Sequence, residues 1–175
     1  MSRREFPRTL REMTTLAVPT WAIRCAHLVS LVVLPSGLWR LAVAAGFDLG
    51  MGEADTAGLP GWQSLYIASV SIVTEALALL TLGLVRPWGE RVPRWFPLIG
   101  GRWIPPRPVA AVAFSGAIAL QFIWTFAFRN PDMPGLTFTS TTWEVVFYAC
   151  YTPLLLWAPL LAAVTVAYYR RRCRG

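Results

Sequence analysis

Leu65 to Val85 reads LYIASVSIVTEALALLTLGLV, an apolar run with a single charge, Glu75, near its middle. At ~1.5 Å per residue the stretch covers ~30 Å, the thickness of a bilayer's hydrocarbon core. A bilayer would hold the carboxylate near its midplane, where an acid costs about 2.5 to 3.5 kcal/mol, so Glu75 is expected to face protein or water rather than lipid.

The rest of the chain fits the same environment. It has 175 residues, 55% of them hydrophobic, with a mean hydropathy of +0.49 and only 14% charged side chains. That charge content is well below the quarter or so of a soluble domain. Three further apolar runs follow the same logic, and the spans are read as about 20–46, 65–85, 109–128 and 143–169 in one domain covering 1–175. In the first, Pro35 removes a backbone bond to Leu31 and Gly37 follows it, which predicts a kink. A signal peptide is the competing reading of this segment, because Ala42-Val43-Ala44 resembles a cleavage site. The long basic arm before it and the intrusion of Arg40 argue against that reading.

Net charge is +7, and all sixteen basic residues are arginine. They lie in blocks beside the apolar runs, a pattern of membrane topology rather than of nucleic-acid binding. Thirteen sit in the arm 1–18, the segment 86–108 and the tail after Tyr169, whereas the two alternate connections hold only Arg129. The positive-inside rule then puts both termini in the cytoplasm. Short connections make sequential spans antiparallel neighbours. The expected fold is therefore an all-α membrane protein, an antiparallel four-transmembrane-helix bundle with both termini cytoplasmic, placed in a bacterial cytoplasmic (inner) membrane.

The segment 86–108 carries three tryptophans, five arginines and six prolines, which excludes a long helix. Gly100-Gly101 suits a small hairpin. Trp88, Arg91, Arg94, Trp95, Arg102 and Trp103 form a set suited to anionic lipid headgroups, with a partner-docking loop as the alternative.

Helical spacing assigns each span an inner face. Ser64, Ala68, Ser71, Glu75 and Ala78 share a stripe on the second. Ala110, Ala113, Ala117, Gln121 and Trp124 do so on the third, and Glu144, Tyr148, Tyr151, Leu155, Ala158 and Ala162 on the fourth. On the first, Arg24, His27 and Ser30 or Leu31 line up. Counting depth from the span ends puts Glu75 and His27 within ~5 Å of one level, with Gln121 nearby. Arg40 and Glu144 both fall at the outer end, within pairing reach. The expected ligand-binding set is Glu75, His27, Gln121, Trp124, Tyr148 and Tyr151, and Glu75 and His27 are the candidate catalytic acid–base pair.

Each residue also has a purely structural role open to it. Glu75 as a neutral acid would bond Ser71 or Gln121 and hold helices together. His27 would be a satisfied buried donor. Thr141-x-x-Glu144 would be a capping box.

Cys25, Cys150 and Cys173 lack metal-ligand spacing, and no metal or cofactor is expected. The chain has no H-E-x-x-H, G-x-S-x-G, phosphate-binding glycine loop or C-x-x-C, so the usual hydrolase, zincin, nucleotide-driven and thiol-redox signatures are missing.

The stretches LPSGLWRLAVAAG (34–46), GLVRPWGERVPRW (83–95), IGGRWIPPRP (99–108) and YTPLLLWAPLLAAVT (151–165) resemble the small uncharacterised four-span proteins of high-GC Gram-positive bacteria. That resemblance implies the architecture and no activity. A weaker similarity, in Glu75, His27 and Gln121-x-x-Trp124, is to emopamil-binding and sigma-2-like proteins, and it implies a pocket for a sterol-like ligand.

Three functions stay open at this point. One is binding of an amphipathic ligand or a membrane partner in a polar pocket centred on Glu75. Another is isomerase- or cyclase-like acid–base chemistry on a lipid or isoprenoid. The last is small-scale proton-coupled transport.

Overall fold

The computed structural model describes residues 18–51, 61–86, 105–130 and 136–173. The headgroup set, Trp88 to Trp103, and the expected hairpin lie outside the described residues. Among the described residues there are four spans of membrane-crossing length and composition: α1 (Thr20–Ala44), α2 (Gly61–Gly83), α3 (Pro106–Arg129) and a fourth running Thr141–Arg172. The fourth is broken into α4 (Thr141–Tyr151), a 3-10 turn (Thr152–Leu156) and α5 (Trp157–Cys173).

The break has a local cause. Pro153 has no N–H and its ring crowds the carbonyl one turn back, so α4 stops at Tyr151. The Thr152 hydroxyl donates to the Tyr148 carbonyl at 2.6 Å, an acceptor it shares with its own backbone N–H. Pro35, by contrast, sits inside an unbroken α1. Pro106 and Pro108 occupy the first turn of α3, where a missing N–H costs nothing.

The helices are not arranged as a square. Among the described residues, α1 packs broadly on α2 and on the fourth span, and α3 packs on α5. α1 is thus central, with α2 and α3 as flanks. The buried side of α1 is a row of small residues, Ala22, Ala26, Val29, Val33, Ser36 and Gly37, followed by Trp39. With lipid outside there is no hydrophobic gain in pressing helices together, and such residues let backbones approach closely enough for dispersion to hold them. The outward faces carry Leu65, Val112 and Phe122, each about 70% exposed, as lipid contact demands.

Three buried hydroxyls bond within their own helices, whereas those of Ser30 and Tyr168 have no partner. Ser36 donates to Val33 O (2.9 Å), Ser71 to Ile67 O (2.8 Å) and Thr165 to Leu161 O (2.7 Å). This back-bonding serves a short polar side chain well where water is absent.

A clasp joins the two connections at one end. Gly50 O accepts from Thr139 N (2.7 Å) and Thr139 Oγ1 (3.1 Å), and Met51 bridges antiparallel to Phe138. Gly50 has φ +72° and lies under the Trp143 ring, so both its backbone and its lack of a Cβ are required. Beneath it, Trp39 meets Trp143 and Phe147 edge-on at 6.2 and 5.7 Å, within the range of stabilising aromatic pairs. At the opposite end, Arg171 Nη2 donates to the Leu84 carbonyl (3.3 Å) just past α2.

Candidate functional site

Glu75 lies two thirds of the way along α2 and turns towards α1. Its carboxylate rests on the backbone of Gly37, where a Cβ would collide with Oε1. Arg40, one turn further along α1, stands on the same face as Gly37 and within electrostatic reach of the acid. Neither charge is matched by a hydrogen bond at its buried atoms: Glu75 Oε1 and Arg40 Nε and Nη2 have no partner. The guanidinium also lies within electrostatic reach of Tyr151 on α4. Arg40 therefore stands between Glu75 on one side and the fourth span on the other.

Beyond Tyr151 is a cavity of about 220 Å³ between α3 and α4, lined by Trp124, Phe128, Phe147, Tyr148 and Tyr151 together with Ala127 and Leu136. Tyr151 stacks on Phe147 at 4.3 Å and meets Trp124 edge-on at 6.2 Å. Trp124 Nε1 is buried without a hydrogen-bond partner. Whole-ligand pockets run from about 300 to 1,000 Å³, so this cavity suits part of a molecule, such as a ring or a length of chain.

The structure thus gathers Trp124, Tyr148 and Tyr151 around one cavity and links them through Arg40 to Glu75. His27 and Gln121 stand apart. His27 is exposed, and its Nδ1 lies 2.7 Å from Ile23 O in the preceding turn. It is ten residues from Gly37, ~15 Å along the axis of α1. Gln121 is also exposed and donates to Thr125 Oγ1 on its own helix at 2.9 Å. Lipid-facing amides find partners one turn away for the same reason the hydroxyls do.

Several expectations are corrected. The inner face of α1 is the row of small residues ending at Arg40; Arg24 and His27 face outward, because near a span's end polar groups reach the interface and have no need of the core. Glu75 Oε1 bonds neither Ser71 nor Gln121. The charge beside Arg40 is Glu75, not the exposed Glu144. The N-cap of α4 is Ser140, in extended conformation with no side-chain cap, so Thr141 and Glu144 form no capping box. Sequence reading missed the role of Gly37 and Arg40. The signal was present in their spacing, since Ser36-Gly37 and Arg40 continue the small-residue row Ala26-Val29-Val33.

Among the described residues, no cluster of His, Cys, Asp and Glu suits a metal ion. These features define a four-span membrane protein with a polar group pair inside its helix packing and an aromatic cavity beside it. Comparison with known protein families, characterised proteins and solved structures finds no match for this chain.

Proposed function

We propose that the protein binds an amphipathic molecule within the membrane, its polar head at Glu75 and Arg40 and part of its apolar body against Trp124, Tyr148 and Tyr151. One observation carries this reading: the carboxyl group of Glu75 and the guanidinium of Arg40 lie near each other between helices with hydrogen-bonding atoms unfilled. Groups serving only to hold helices together would bond each other, since an unsatisfied buried polar atom costs about 1 to 3 kcal/mol and more when charged. A bound head group with both donor and acceptor atoms would satisfy both sides. The arginine distribution supports a bacterial inner-membrane setting with both termini cytoplasmic.

The acid–base reading needs His27 beside Glu75, and the geometry offers it no support. No observation favours transport.

The test is native mass spectrometry of the full-length protein released from its own membrane, with the adduct identified by fragmentation. Binding requires an adduct on the wild type that Glu75→Leu and Arg40→Leu each lose while remaining folded. An adduct unchanged in both variants contradicts the reading.

A further inference from the structure

At the arginine-rich end of the bundle, remote from Glu75, α3 and α5 form an open groove of about 450 Å³. Arg107 in the first turn of α3 and Arg170 in the last turns of α5 stand at its mouth, with Tyr169 beside them. The rest of the lining is Ala110, Ala111, Phe114, Val166 and Thr165, whose hydroxyl is taken up by the Leu161 carbonyl. From Arg107 to Phe114 is seven residues, ~10 Å along the axis, so the wall passes from interfacial depth into hydrocarbon depth. Because the two helices run in opposite directions, each presents its arginine outermost and its apolar residues inward. Among the described residues, neither guanidinium is engaged in a hydrogen bond or ion pair.

We propose that this groove is a binding site for one anionic phospholipid, its phosphate between Arg107 and Arg170 and an acyl chain along Ala111, Phe114 and Val166. The polarity gradient matches that of a lipid read from headgroup to tail. Paired guanidiniums at the membrane surface are the chemistry that recognises a phosphate there. The volume suits a head, a glycerol and the upper chain rather than a free anion.

The experiment is a lipid titration of the full-length protein read by native mass spectrometry, with phosphatidylglycerol, phosphatidylcholine and inorganic phosphate as separate arms. Wild type should take up one phosphatidylglycerol more tightly than phosphatidylcholine. Arg107→Gln with Arg170→Gln should weaken that binding about thirtyfold, the worth of two juxtamembrane arginines. Arg24→Gln with Arg86→Gln removes equal charge from exposed positions elsewhere and should leave most of the affinity. Ala111→Trp keeps both arginines, fills the groove and should also weaken binding, which keeps the proposal testable if the double arginine variant does not fold. Equal loss from the two arginine pairs would reduce the effect to net charge and overturn the site. Displacement of the lipid by inorganic phosphate at comparable concentration would overturn the role of the acyl chain, and full retention in Ala111→Trp would do the same.

Discussion

The carboxylate of Glu75 rests on the backbone of Gly37, one turn before Arg40, so the only acid of α2 and an arginine of α1 meet at one point while their buried polar atoms stay unbonded. Gly37 is what permits the approach. An alanine there would improve helix propensity by about 0.5 to 1 kcal/mol yet place a methyl where Oε1 now lies. The carboxylate is the far end of a flexible side chain and can swing away. Gly37→Ala should therefore keep its melting temperature within a few degrees of wild type and lose the bound adduct as fully as Glu75→Leu does. Thermal unfolding in detergent and native mass spectrometry check the two halves.

Arg40 and Glu75 should be energetically coupled even without a direct bond. Removing one charge leaves the other facing low-dielectric surroundings with no counter-ion, whereas removing both leaves neither. In a double-mutant cycle of Arg40→Leu and Glu75→Leu, the pair should be less destabilised than the sum of the singles by about 0.5 to 3 kcal/mol. Strict additivity would mean that the two side chains do not sense each other.

The fold was largely legible in the sequence, and the site only in part. Span number and placement follow from apolar runs of about twenty residues, a signal strong enough to survive errors of a few residues at each end. Trp124, Tyr148 and Tyr151, placed on inner faces by helical spacing, do line one cavity. The face of α1 was misread because polarity was taken as the mark of the interior. In a bilayer small residues mark the packed side, and His27 near a span's end is free to face out. Gln121 misled for a related reason, its amide being satisfied by Thr125 one turn away.

The clasp between the two connections gives a stability prediction that does not involve the site. Gly46 (φ +87°) and Gly50 (φ +72°) both hold left-handed conformations, but only Gly50 lies against another side chain, the Trp143 ring. Gly46→Ala should cost only backbone strain, about 1 kcal/mol. Gly50→Ala must also displace Trp143, adding about 1 to 3 kcal/mol. Its melting temperature should fall at least twice as far, and equal shifts would show that the clasp is not formed.

Orientation is checked by thiol labelling of intact cells in a cysteine-free background. Asp48→Cys and Asn130→Cys should react with an impermeant reagent from outside, and Arg86→Cys only after the membrane is permeabilised. Labelling of position 86 in intact cells would invert the topology and with it the reading of the arginine blocks.

The central claim, that Glu75 and Arg40 hold a third group between them, is tested most directly by an experimental density map of the full-length protein in lipid nanodiscs made from its native membrane. The expected result is non-protein density within ~3 Å of Glu75 Oε1 and Arg40 Nη2, extending towards Tyr151 and Trp124. A map in which the carboxylate and guanidinium instead close on each other as a two-pronged ion pair, with lipid density only on the outer helix faces, would contradict it.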